Sequence, residues 1–169
     1  MFNIGFDCNT ADLAATLKKY PLIAGSLAYL LAVLVTLIKK KGAELTVKLD
    51  GEVCHDGKLL LCALANGICC GGGIKSSPDA VIDDGLMDVN VIYNISRGNF
   101  LKKFPYYSKG THRQLPDIDE ILLYKRCQKA VIMPKNGTMR LCADGEIVSA
   151  GEITFEMVPH AFRMIIPAQ

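Results

Sequence analysis

Residues 43–65, AELTVKLDGEVCHDGKLLLCALA, decide the fold class. Leu45, Val47 and Leu49 alternate with Glu44, Thr46 and Lys48, the period of two that gives a strand one apolar face. Asp50-Gly51 then offers two residues that tolerate positive φ, so a hairpin is expected, and Asp56-Gly57 marks a second turn. The run Leu59 to Ala65 is apolar at odd and even positions alike, which demands cover on both faces and therefore a central strand.

The same period continues downstream. Val89, Val91 and Tyr93 alternate, Ile121 to Tyr124 and Ala130 to Met133 read as strands, and Asn136-Gly137 signals a hairpin leading into Met139 to Cys142. Ile153, Phe155 and Met157 repeat the pattern, and Phe162 to Ile166 forms a last apolar run before Pro167. Between them, Ser96 is placed to cap a short basic helix, Arg97 to Phe104, that Pro105 would stop. It leads into Tyr106-Tyr107, a mixture of cations and aromatics suited either to covering a sheet edge or to a lipid headgroup surface.

Upstream, Pro21 to Ile38 carries no charge and is bracketed by Lys18-Lys19 and Lys39-Lys40-Lys41. The stretch is just long enough to span a bilayer. Helical spacing sets Leu27, Leu30, Leu31, Leu34 and Ile38 on one face and Ala28, Ala32 and Thr36 on another, the pattern of a helix packed between protein layers. The expected fold is thus mainly β, a two-layer antiparallel β-sandwich with one long and one short helix.

Composition narrows the function classes. At 169 residues the chain suffices for one domain, residues 1–169, and removes roughly 70% of its unfolded surface from water. Nineteen Lys and Arg against 17 Asp and Glu leave a charge of +2, with no long like-charge block of the kind that serves nucleic acid. Seven cysteines, at 8, 54, 62, 69, 70, 127 and 142, an odd number without Cys-x-x-Cys spacing and mostly in apolar runs, read as buried thiols of a reducing, cytoplasmic setting. No pair of them stands at zinc-ligand spacing from His55, His112 or His160.

Three polar clusters remain. Gly71-Gly72-Gly73 lets the backbone approach a phosphate or headgroup, although Ile74 separates it from Lys75-Ser76 and no P-loop ending follows; a plain bend is the other reading. Pro78 to Asp88 packs four carboxylates, Asp79, Asp83, Asp84 and Asp88, around Gly85, either a hard-cation loop or an acidic turn. Asp-Gly-Glu occurs twice, at Asp50 to Glu52 and at Asp144 to Glu146, and a carboxylate at such a bend can take a proton from a hydroxyl during phosphoryl transfer. Asp50 ends an amphipathic strand, whereas Asp144 follows small residues that leave room for a substrate.

The ordered series Gly5-Phe6-Asp7, Gly25 to Tyr29, Asn66-Gly67, Gly71 to Gly73, Pro78 to Val89, Gly110-Thr111-His112, Asp144-Gly145-Glu146 and Pro159 to Pro167 resembles the C-terminal domain of diacylglycerol kinase-like lipid kinases, relatives of the sphingosine kinases. Pro-x-Ala-x-x-Asp-Asp-Gly-Leu-x-Asp-Val, Pro78 to Val89, is the most specific piece. The resemblance implies the lipid-facing half of an ATP-dependent kinase for a diacylglycerol-like hydroxyl at a membrane surface. It also implies a partner, an N-terminal nucleotide-binding domain with a Gly-Gly-Asp-Gly-Thr loop; that sequence does not occur here, and Asn3, where many relatives have a further glycine, puts the start of the chain near the domain junction.

By the same resemblance Asp144 is the base and Glu146 its companion. Asp84, with the carbonyls of Val81 and Leu86, matches a structural Mg2+ site, and Gly71, Gly72 and Gly73 line the cleft toward the nucleotide domain. ATP is then a co-substrate only when that domain is present, and the chain alone is expected to be inactive. Exposed edge strands could also pair two copies into a homodimer. Two other readings compete: a non-enzymatic lipid-binding or regulatory module, and a relative of NAD kinase, against which the acidic Pro78 to Val89 segment argues.

Overall fold

A computed structural model describes residues 1–20, 25–39, 42–70, 73–161 and 163. The fold is organised by one long strand, β3 (Glu52–Ala65), which follows β2 (Ala43–Leu49) through the Asp50-Gly51 turn. Asp50 and Gly51 both have positive φ, 47° and 90°, as the expected hairpin requires. The first half of β3 pairs with β2. On its far edge β2 carries β6 (Lys129–Pro134) and then β9 (Ile153–Glu156). The second half of β3 pairs on one edge with β1 (Phe2–Gly5) and on the other with β4 (Met87–Tyr93). β1 leads to β7 (Met139–Ala143) and β8 (Glu146–Ala150), and β4 leads to β5 (Leu122–Cys127). Every pairing is antiparallel, and the sheet curls about β3 to enclose a core that includes Ile4, Leu45, Val47, Val89, Val91, Ile132 and Leu141.

A register irregularity between Leu59 and Leu61 changes the parity of β3. Leu59, Cys62 and Leu64 face the sandwich core, whereas Leu60, Leu61 and Ala63 face a second cluster with Phe6, Val33, Leu37, Phe100 and Tyr107. Each fully buried leucine contributes about 2 kcal/mol, so the strand is anchored from both sides, as its continuous apolarity predicts. The backbones crowd at this point: a Cβ on Gly5 would lie 2.5 Å from the carbonyl oxygen of Leu60, and one on Gly42 2.1 Å from that of Leu59.

The second cluster is roofed by three helices, α1 (Phe6–Leu17), α2 (Gly25–Lys39) and α3 (Arg97–Lys109). The sequence reading finds only two of them. α1 begins directly at Gly5 without a side-chain cap and has a weakly amphipathic pattern, so neither start signal nor period announces it. α3 has the expected Ser96 cap, whose Oγ accepts from Asn99 N at 3.2 Å, but it runs through Pro105 and ends at Gly110, left-handed at φ 76°. Pro105 removes one helical hydrogen bond without stopping the helix.

Other turn readings also change. Gly57 adopts φ 135° inside a continuous β3, so Asp56-Gly57 is not a turn. Asn136-Gly137 joins β6 to β7, which do not pair, and is therefore a crossing between the two parts of the sheet. Along α2 the small side is inward: Ala28, Ala32 and Thr36 are buried with Val33 and Leu37, while Leu34 and Ile38 are exposed. Small residues let this helix approach the layer beneath closely, and Leu34 and Ile38 turn outward. Among the described residues no helix is long and apolar enough to cross a membrane. Of the last run, Phe162 and residues 164–166 fall outside the described residues, as do Gly71 and Gly72.

Candidate active site

The two Asp-Gly-Glu bends have the same backbone shape and different chemistry. Asp144 and Gly145, at φ 45° and 98°, join β7 to β8 in the geometry of Asp50-Gly51. The Asp50 carboxylate is committed to structure: Oδ1 accepts from Gln128 N at 3.1 Å and from Lys129 N at 2.9 Å, which holds the start of β6. Among the described residues, Asp144 holds no backbone amide through its side chain. Its Oδ1 accepts from the Met1 ammonium at 2.5 Å, and the side chain is 79% exposed at the rim of a cleft.

That cleft, about 570 Å³ and open, is lined by Met1, Asn3, Asp7, Ala11, Asn66, Gly67, Cys69, Cys70, Cys142, Asp144 and Gly145. The structure therefore brings Asp144 together with the segment leading into the glycines. Gly73 takes φ 76°, and Cys70 N donates to Ile74 O at 2.8 Å. Glu146 is exposed at the head of β8 and is not part of the cleft lining.

Asp84 lies elsewhere. Its Oδ1 accepts from Leu86 N at 2.9 Å and its Oδ2 is ion-paired with Arg126 of β5. Arg126 Nε also stands 3.8 Å from buried Asp88, which accepts a hydrogen bond from Tyr124 OH and whose carboxyl is pushed up by desolvation. Arg113 pairs with Asp79 at 3.2 Å and lies over the Tyr124 ring, 3.8 Å from its centroid. The acidic loop is thus clamped by two arginines. Among the described residues no three acidic, His or Cys side chains converge as a metal site. The donors expected for Mg2+, one carboxylate and the carbonyls of Val81 and Leu86, are hard oxygens of the right kind, and the Arg126 guanidinium already sits as a cation on that carboxylate. Asn66 links the two regions: it lines the Asp144 cleft, and its Nδ2 donates to Ile82 O at 3.2 Å.

Asp7 is the residue the sequence reading leaves without a role. It stands in the first turn of α1, where an aspartate reads as an ordinary helix-start residue. Folding places it between the open cleft and a narrow apolar pocket of about 40 Å³ beneath α3, lined among others by Leu61, Ile92, Phe100, Phe104 and Tyr107. Burial pushes its carboxyl up to about 6. His112, in the same pocket, packs 4.9 Å from the Tyr107 ring, and desolvation lowers its pKa. Of the cysteines, Cys69 is exposed at the cleft while Cys62 and Cys127 are buried and pushed up to about 12.

With this geometry in hand, the profile of the YegS C-terminal NAD kinase beta sandwich-like domain matches residues 2–166. The chain belongs to that family. Among similar proteins, a "Probable lipid kinase YegS-like" of Stenotrophomonas maltophilia is 31% identical over 162 residues, covering 94% of this chain and 49% of that protein. A "Diacylglycerol kinase" of Mycobacterium tuberculosis is 28% identical over 163 residues, covering 96% and 50%. A solved diacylglycerol kinase structure from Bacillus anthracis superposes with a TM-score of 0.56 at 15% identity, over 90% of this chain and 62% of that one, a likeness of fold. This YegS-type domain spans about half the length of the curated relatives it matches.

Proposed function

We propose that this YegS-type domain is the substrate-side half of an ATP-dependent lipid kinase that phosphorylates a diacylglycerol-like hydroxyl. The observation that carries the reading is the contrast between the two Asp-Gly bends: Asp50 is spent on backbone amides, whereas Asp144 keeps its carboxylate at the rim of an open cleft beside Gly67 to Cys70. A carboxylate so placed can accept the proton of an incoming alcohol while the glycine segment faces the nucleotide half.

Asp7 borders the same cleft and the apolar pocket, so a polar headgroup can stay in the cleft while apolar atoms turn under α3. Mg2+, if bound through Asp84 and the carbonyls of Val81 and Leu86, would supply charge neutralisation to the acidic loop. Phosphoryl transfer depends on positioning and charge stabilisation around the nucleotide, so the domain by itself should be inactive.

The test is to fuse the chain to the nucleotide-binding half of a YegS-like relative and measure phosphatidic acid formation from MgATP and detergent-dispersed diacylglycerol. The fusion should be active, with Asp144→Asn lowering kcat by about 10² to 10⁴ and Asp50→Asn acting only through stability. Equal activity of Asp144→Asn and the unmodified fusion, or robust turnover by the single domain, would refute the assignment; phosphorylation of NAD in place of the lipid would point to the NAD kinase reading.

A further inference from the structure

Three of the seven thiols line the cleft that carries Asp144: Cys69, Cys70 and Cys142. They are not equivalent. Cys142 is buried in β7, Cys70 is half-buried and its thiol is pushed up to about 11 by desolvation, and Cys69 is exposed. Elsewhere burial pushes Cys8 up to about 11 and Cys62 and Cys127 up to about 12. Cys69 alone among the described cysteines is exposed, so an oxidant dissolved in water reaches it first.

The Cys69-Cys70 pair opens a tight turn. Gly73 N donates to Cys70 O at 3.2 Å, Cys70 N donates to Ile74 O at 2.8 Å, and Gly73 has φ 76°. Just ahead of the pair, Asn66 and Gly67 line the same cleft, and Asn66 Nδ2 holds Ile82 O at 3.2 Å. Neighbouring residues have Cα atoms about 3.8 Å apart, short of the roughly 4.4 to 6.8 Å that disulfides prefer. A bridge between adjacent cysteines therefore closes a strained ring, and strained, exposed disulfides are the readily reduced, regulatory kind. Closing it rotates the backbone at Cys70 and pulls on both hydrogen bonds of the turn. The glycines that follow, Gly71 to Gly73, absorb such a rotation at the lowest steric cost. Cys142, by contrast, is held in β7 by pairing on both edges, so Cys70 is the thiol that can move to meet Cys69.

We propose that Cys69-Cys70 is an oxidant-sensing dithiol in the wall of the Asp144 cleft, closed by peroxide to a vicinal disulfide and reopened by thiol reductants. The Cys69 sulfur takes one oxygen from the peroxide, breaking the O–O bond and releasing water, to give a sulfenic acid. The Cys70 sulfur then displaces that oxygen: the S–S bond forms, the S–O bond breaks, and the Cys70 proton leaves with the hydroxide as water. The two thiols together lose two electrons and the peroxide gains them. Adjacency makes the second step intramolecular, an advantage over any thiol in solution. Closure reshapes the wall beside Asp144 and halts turnover. That consequence rests on the lipid-kinase reading, whereas the oxidation itself does not.

The test treats the reduced chain with hydrogen peroxide, stops the reaction with catalase and counts free thiols in denaturant. The count should fall by two from seven. Cleavage after Lys58 and Lys75 releases residues 59–75 as one peptide holding Cys62, Cys69 and Cys70. That peptide should lose two hydrogens with no second peptide attached, and fragmentation should place the bridge between Cys69 and Cys70. Cys70→Ser should stop at the sulfenic acid, captured on Cys69 by dimedone, and Cys69→Ser should keep all its remaining thiols. In the two-domain fusion, peroxide should lower turnover about ten-fold or more, dithiothreitol should restore it, and Cys69→Ser should hold its own untreated rate. An unchanged thiol count, a bridge from Cys69 to Cys142, oxidation confined to Cys54, or a mapped Cys69–Cys70 bridge with turnover unchanged would overturn the proposal. A fusion inactive even when fully reduced sinks the kinase reading alone, because the thiol count and the peptide map are read without activity.

Discussion

Replacing Gly5 by alanine isolates the energetic cost of the junction where β1, β3 and α1 meet. Gly5 sits at φ 87° and ψ −125°, a region closed to L-residues by their own Cβ. In addition, that Cβ would lie 2.5 Å from the Leu60 carbonyl oxygen and 3.3 Å from Leu61 Cα, backbone atoms that cannot rotate aside. Gly51 provides the internal control. Its φ is 90°, and nothing lies within 4 Å of where its Cβ would be. Gly51→Ala therefore pays conformational strain only, about 1 to 2 kcal/mol. Gly5→Ala adds a strand displacement of the kind that overpacking imposes, about 1 to 3 kcal/mol more, for a total of about 2 to 5 kcal/mol. With a urea m-value of about 2 kcal/mol/M, the midpoint should fall by about 1 to 2.5 M, against about 0.5 to 1 M for Gly51→Ala. Equal losses in the two variants, within about 0.5 kcal/mol, would show that the close approach at Leu60 carries no energy and that the crowding argument is wrong.

Three further outcomes follow from the site. Asp7 has a folded-state pKa of about 6, above its ordinary 3.8, so its contribution to stability is complete below pH ~4 and is lost as pH rises through ~6. Asp7→Asn should abolish that slope and gain up to about 3 kcal/mol at neutral pH, as read by denaturation at several pH values; an unchanged slope would contradict the burial of the carboxyl. Asp50→Ala should cost about 1 to 2 kcal/mol because two amides of the Gln128-Lys129 turn lose their acceptor, whereas Asp144→Ala should leave stability within about 0.5 kcal/mol; thermal melts of both variants decide between them. Arg126→Gln should lower the melting temperature in chelator and regain more of it with added Mg2+ than the unmodified chain does, since both cations answer to Asp84. Identical Mg2+ responses would show that the ion does not use this carboxylate.

The β architecture was legible because its signals are local. Period-two alternation in Leu45 to Leu49 and the unbroken apolarity of Leu59 to Ala65 report burial directly, and Asp50-Gly51 turns as its φ preference dictates. What misled were residues whose meaning is set by distant partners. Asn136-Gly137 has hairpin chemistry, yet its flanking strands pair with β2 and β1, and Pro105 sits in a helix whose burial of Phe100 and Tyr107 outweighs one missing hydrogen bond. α1 lacked both cap and period. For the site, Asp144 and Asp84 could be nominated from motifs, but the Met1 ion pair of the one and the Arg126 clamp on the other arise from contacts 40 and more residues away along the chain. Asp7 illustrates the limit most clearly, because only the placement of α1 against β3 and α3 gives that aspartate two cavities to border.

β1 holds the hairpin that carries Asp144, the proposed base. Among the described residues, the β7–β8 ribbon that carries Asp144 pairs with the rest of the sheet only by way of β1, through the three pairs Phe2↔Ala143, Asn3↔Cys142 and Ile4↔Leu141. The four residues of β1 act as a splint between the proposed base and the scaffold. Peeling the splint away would leave the carboxylate chemically intact and adrift, so a change confined to β1 can silence such a domain without touching any residue that meets the substrate.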